Sequence, residues 1–182
     1  MLVKRYNLHE LHSYVWAYND ELKAIDIPVE DNVKLANATN PNIETLRNSI
    51  VPTQLCQIKS NLSFSNDFGI FEIGRVVNGL DENGLCIENK KLAITLYSKT
   101  RNVKDIYFEL RDILAVVTDE IKHKALTFEK AEPTHSYEHP VNLYSVCLDG
   151  RNIGTIGIVH PTVNKKICLL YTSPSPRDGL LS

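Results

Sequence analysis

Two strings decide the fold: Leu46-Arg47-Asn48-Ser49-Ile50-Val51-Pro52, entered through Asn40-Pro41, and Phe71-Glu72-Ile73-Gly74-Arg75. Pro52 suits the first turn of a helix, where its missing N–H has no intrahelical partner to lose, and Ser49 stands just upstream as a candidate cap. The helix is expected to run to about Asn61, with Leu55, Ile58 and Leu62 on one face lying against the sheet that follows. Ile70 to Val77 then reads as a strand. Its period of two puts Glu72 and Arg75 on opposite faces, so one of them points inward and needs a charged mate. Arg47 is the candidate mate for Glu72, in an ion pair anchoring helix to sheet rather than in a ligand site.

Outward from this centre the elements alternate. Leu8 to Tyr18 is β-rich with one face apolar, Asp20 can cap a short helix through Ala24, and Val33 to Ala36 reads as a brief strand before the turn cluster Asn37 to Asn42. Asn78-Gly79 is expected to turn the Ile70–Val77 strand back into Leu92 to Tyr97. Ile106 to His123 carries Leu110, Ile113, Leu114, Val117 and Ile121, the stripe of an amphipathic helix. Leu126 to Glu129, Val141 to Leu148 and Ile153 to Val159 read as strands, the last two joined at Asp149-Gly150, with His160-Pro161 closing the hairpin. Antiparallel strands interrupted by helices predict an α+β class, a sheet with helices on one face.

Residues 1–167 are read as one core module, since 182 residues suffice for a single domain with a substantial core. Residues 168–182, with Tyr171-Thr172-Ser173-Pro174-Ser175-Pro176, have no apolar period and read as a disordered or non-native tail. No apolar run approaches the roughly 20 residues of a membrane span, and no signal sequence is evident, which makes the cytoplasm the default location. Cys56, Cys86, Cys147 and Cys168 form no CxxC pair. Twenty basic residues against 22 acidic ones do not describe an autonomous nucleic-acid binder.

The literal zinc-type string His135-Ser136-Tyr137-Glu138-His139 lies between Pro133 and Pro140, so a helix carrying both histidines on one face is not secured. Ser49 and Ser145 lack a nucleophile elbow, and Gly154 and Gly157 lie in a strand, where they permit close backbone approach. No catalytic, cofactor-binding or metal-ligating residue is assigned. The structural or interface candidates are Leu46, Arg47, Ile58, Glu72 and Arg75.

In order, these strings resemble the central module of the beta subunit of bacterial phenylalanyl-tRNA synthetase. His9 to Trp16 stands at its opening strand, with Ser13 and Tyr14 transposed; Asp105 to Arg111 stands at a "DFFDLKG" helix start, and Gly150 to Pro161 at a "G..IGxIGxLHP" hairpin. The resemblance implies a class II synthetase-like antiparallel sheet, non-catalytic and incomplete at its C-terminal side. A class II site needs an Arg just upstream of the FEIG-like strand to clamp ATP phosphates, yet no Arg stands between Arg47 and Arg75. The implied role is support of the alpha subunit, two alpha with two beta, that attaches phenylalanine to tRNA. The chain alone is expected to be inactive and to bind no cofactor, with ATP and magnesium belonging to the holoenzyme and tRNA held by other domains. Because Met1 falls inside the family pattern, an internal fragment of a longer subunit is expected. The segment from Leu46 through the Ser49–Asn61 helix is assigned to subunit contact. The alternatives are a free-standing regulatory paralogue binding a small ligand and an autonomous adenylating ligase.

Overall fold

The computed structural model describes residues 1–28 and 32–169; the rest of the expected tail, from residue 170, lies outside the described residues. In chain order the elements are α1 (Leu2–Tyr6), β1 (Leu8–Glu10), β2 (Trp16–Ala17), α2 (Asn19–Lys23), β3 (Thr45–Leu46), α3 (Val51–Asn61), β4 (Asp67–Leu80), β5 (Cys86–Ser98), α4 (Val103–Lys122), β6 (Leu126–Lys130), β7 (Glu138–Leu148), β8 (Arg151–Val159) and α5 (Pro161–Leu169). Helices and sheets are mixed, but among the described residues the strands form three sheets, ordered β1-β4-β5, β2-β3 and β6-β7-β8. The first is not wholly antiparallel, because β1 runs parallel to β4 with Leu8 opposite Gly69.

Helices cover both faces of the first sheet, not the one face expected. The cause is in β4 itself, where consecutive residues are apolar and point opposite ways. Ile70 joins a core with Ile25, Leu55, Ile58, Tyr137, Val163 and Ile167, whereas Phe71 joins a second core with Leu2, Leu8, Ile113 and Val117. Thus α3 and α5 lie toward one side of β4, and α1 and α4 toward the other. Helix α5 was not anticipated; its signal was Val163 and Ile167, four residues apart and both buried.

Several local expectations shift for identifiable reasons. The Leu8–Tyr18 strand breaks after Glu10, because the Ser13 amide and hydroxyl turn toward the Glu72 carboxylate and leave the ladder. Tyr18, not Asp20, is the N-cap of α2; the Asp20 amide instead donates to Asn42 Oδ1 at 2.7 Å, so the turn cluster caps the helix from across the chain. The Val33–Ala36 strand reduces to a bridge between Lys34 and Thr45. The long hairpin turns at Asp81–Leu85 rather than Asn78-Gly79, since Asp81 Oδ1 accepts from the amides of Asn83 and Leu85, both at 2.8 Å. A register shift between Val77 and Leu80 absorbs Asn78 and Gly79 as a bulge. The β7–β8 turn is at Asp149-Gly150, with φ of 51° and 74°.

Helix α4 starts at Asn102, whose side chain accepts from the Lys104 amide at 2.8 Å, and ends at His123 in the left-handed region. Its apolar stripe is buried unevenly: Ile113 is 0% exposed, Leu110 and Leu114 are half-buried, and Ile121 is 64% exposed. Ile113 and Val117 reach the core with Leu8 and Phe71 whereas Ile121 does not, so the stripe outruns the core. Ile113→Ala should therefore cost about 2–5 kcal/mol, against less than about 0.5 for Ile121→Ala, read as denaturant midpoints. Equal losses would show that Ile113 does not anchor this face.

Cys56 on α3 sits in the other core, and burial pushes its thiol from 9.0 up to about 12. The folded state keeps a proton that the unfolded chain releases, so this contribution is complete below about pH 9 and is lost as pH rises toward 12. Unfolding free energy measured between pH 8 and 11 should fall with a slope reaching about 1.4 kcal/mol per pH unit from this group. Cys56→Ala should flatten that slope; an unchanged slope would assign it elsewhere.

Candidate functional site

Arg47 and Glu72 meet in the interior, Nη2 to Oε1 at 2.7 Å, with side chains 4% and 2% exposed. Glu72 is brought inward by the period of β4. Arg47 is fixed by its backbone, its amide donating to Val15 O at 2.8 Å and its carbonyl accepting from Val77 N at 2.9 Å. Nε of Arg47 donates to the Arg75 carbonyl at 3.0 Å, and Nη1 donates to Ser13 Oγ. Ser13 Oγ lies 2.7 Å from Glu72 Oε2. Each guanidinium nitrogen and each carboxylate oxygen thus has a hydrogen-bond partner, the condition under which a buried pair is tolerated. The close packing leaves no room at Gly74, where a Cβ would collide with Arg47 Nη2 and lie 2.7 Å from Glu72 Oε1.

Arg75 itself points the other way, as the period requires, and pairs at the surface with Glu88 at 2.8 Å; its side chain is 71% exposed. Leu46 is half-buried in β3. Ile58 corrects the contact assignment. At 3% exposed it packs inside the chain's own core, because α5 closes over the face of α3 that carries it, so its side chain has no surface to offer a partner. Ile50 at the helix entry is buried as well. Substituting glutamate at Ile58 would disturb folding before it tested assembly.

Three participants were missed by sequence reasoning. Ser13 bridges the ion pair, and its only signal was its place on the Leu11–Val15 face. Gln54 is fully buried on α3, where Nε2 donates to Ala93 O at 3.1 Å and Oε1 accepts from Thr95 Oγ1 at 2.6 Å, tying helix to β5. The Tyr137 hydroxyl donates to Ser49 Oγ at 2.9 Å, joining the segment before β7 to the entry of α3. Burial pushes the Tyr137 phenol up, with the Ser49 hydrogen bond opposing. Ser49 Oγ also lies 3.3 Å from the Val51 amide, although the N-cap residue of α3 is Ile50.

A cleft of about 80 Å³ opens here, with Arg47, Asn48, Ser49, Pro52, His135 and Tyr137 among its lining. Sites for organic ligands usually measure about 300–1,000 Å³. At that size the cleft has room for water or a small ion but not for a nucleotide. The His135–His139 string is not helical. Glu138 opens β7, and its Oε2 accepts from the amides of Thr134 at 2.8 Å and His135 at 2.9 Å, while His139 Nδ1 accepts from the amides of Val141 and Asn142. The string is thus a backbone-binding turn. Gly157 lies where a Cβ would be 2.7 Å from Asn142 O, whereas Gly154 faces open space.

The family described as the phenylalanyl tRNA synthetase beta chain CLM domain matches residues 2–172. Phenylalanine–tRNA ligase beta subunits are similar along most of the chain. That of Pyrococcus horikoshii is 29% identical over 149 residues, 79% of this chain and 25% of that protein. That of Listeria monocytogenes is 26% identical over 175 residues, 91% of this chain and 21% of that protein. That of Ehrlichia ruminantium is 26% identical over 159 residues, 81% of this chain and 18% of that protein. The chain belongs to the phenylalanyl-tRNA synthetase beta chain CLM domain family, and it spans about a quarter or less of these relatives' length.

Removing one member of the buried pair leaves an uncompensated charge. Arg47→Met or Glu72→Leu alone should each cost about 3–5 kcal/mol in chemical denaturation, and the double substitution should recover much of that. Simple additivity of the two single losses would mean that the charges do not depend on each other.

Proposed function

We propose that this chain is a non-catalytic, class II synthetase-like core module of a phenylalanyl-tRNA synthetase beta subunit. Its work is to present a rigid surface to the alpha subunit, which carries out the attachment of phenylalanine to tRNA. The observation that carries this reading is the use made of Arg47. Its fork is spent on Glu72, Ser13 and the Arg75 carbonyl, all inside the protein. A guanidinium so engaged is not available to clamp phosphates, and Arg75, the next arginine along the chain, lies on the opposite face of β4 paired with Glu88.

The cleft beside Arg47 is several times too small for ATP with an amino acid. ATP and magnesium therefore belong to the alpha subunit's site in the complex, and tRNA to other domains of the assembly. Two alpha and two beta subunits in the cytoplasm complete the proposal. Among the described residues, no helix is long and apolar enough to cross a membrane.

Co-expression with a cognate alpha subunit, followed by size-exclusion chromatography, should give co-elution. Phenylalanine-dependent exchange of pyrophosphate into ATP by the chain alone should stay at background. Separate elution removes the scaffold role, and exchange above background by the chain alone makes it a ligase in its own right.

A further inference from the structure

The face of α4 turned away from Ile113 and Val117 lines an open groove of about 350 Å³ against the start of β6. Unlike the cleft at Arg47, this volume reaches the range in which other molecules are held. The floor and walls are Phe108, Ala115, Leu126 and Phe128, and the α4 rim carries Asp112 and Asp119. The far wall is already built, with the Arg111 guanidinium 4.7 Å from the centre of the Phe128 ring. Phe108 is 42% exposed although it faces this apolar floor. Lys124 at the other rim is occupied by Asp149.

Neither Asp112 nor Asp119 forms an ion pair among the described residues. They stand seven residues apart on one helix face, hence about 10 Å along the axis. The groove follows α4 from Phe108 to Asp119, about 16 Å. A trough of mixed lining, apolar between Phe108 and Phe128 and edged on α4 by two unpaired carboxylates about 10 Å apart, suits a rod, since a compact small molecule would reach only one of them. A second helix lying along α4 repeats the same 10 Å between its own residues i and i+7.

We propose that the α4–β6 groove is a docking site for an amphipathic helix of a partner protein, one whose apolar stripe is flanked by Lys or Arg at seven-residue spacing. Apolar anchors enter between Phe108 and Phe128 over Ala115, and the two cations reach Asp112 and Asp119. Charge complementarity selects the partner and its register, while the apolar floor supplies most of the holding energy. The site lies on the side of α4 away from the two cores and does not depend on the synthetase reading.

The test is fluorescence anisotropy of the chain with a labelled synthetic helix of about 14 residues, four turns, carrying a Leu stripe and Lys at positions i and i+7. Saturable binding is expected, weakened about tenfold or more in Asp112→Lys/Asp119→Lys, while a matching peptide with Glu for Lys gains affinity for that variant. Ala115→Trp, which fills the floor, should abolish binding of both peptides. All three positions are at least partly solvent-exposed, so melting temperatures should stay at the parent value and report folding separately. Equal binding of the Lys peptide to parent, charge-reversed and Ala115→Trp chains overturns the proposal. So does the absence of binding at about millimolar peptide, where even weak docking is visible.

Discussion

The Arg47–Glu72 pair constrains the chain more tightly than any apolar contact, because its cost is met only if several distant segments arrive together. Removing a carboxylate and a guanidinium from water costs several kcal/mol each, and their attraction repays it only with good geometry and filled hydrogen-bonding positions. Here the requirement reaches Ser13 on the first segment, Arg47 on the third strand's exit, and Glu72, Gly74 and Arg75 on β4. A register slip of one residue in β4 would turn Glu72 outward and Ile73 inward. The pair therefore contributes specificity of register where apolar residues on both faces of β4 would otherwise tolerate either arrangement.

This constraint also bears on what the module can do. A guanidinium is a good phosphate clamp because its fork is fixed and always charged, and those same properties make it a good interior brace. It cannot serve both at one position. With Gln54 holding α3 to β5 and Tyr137 holding the β7 segment to Ser49, polar side chains near the cleft are engaged in joining elements. The arrangement describes a body braced by polar contacts between its elements.

Features legible in the sequence were those governed by neighbours along the chain. Pro52 placed the start of α3, the positive-φ pair Asp149-Gly150 placed a hairpin, and the period of β4 separated Glu72 from Arg75. Features that depend on distant partners were not legible. Leu8 to Tyr18 has strand composition throughout, but Glu72 draws Ser13 off the ladder, and only the fold brings those residues together. Ile58 looks the same in sequence whether α5 or another protein covers it. Reading Pro161 as a stop rather than as the first residue of a helix hid α5, and with it the reason Ile58 is interior. Likewise, the uneven burial of α4 depends on which of its residues reach Leu8 and Phe71, which its own stripe cannot report.

The two cores on either side of β4 give the chain an asymmetry that a single core would not. The α3 side contains the buried charges, the Tyr137–Ser49 link and Cys56, all of which lose stability if the packing loosens. The α4 side is held by fewer fully buried residues, chiefly Leu8, Phe71, Ile113 and Val117, while α4 leaves Phe108 and Ile121 partly or largely in water. Local opening follows contact density, so the α4 side is the one that can adjust to a neighbour without disturbing the charged interior. Rigidity and adaptability are thus divided between the faces of one strand, and β4, carrying Phe71 and Glu72 side by side, is where the division is made.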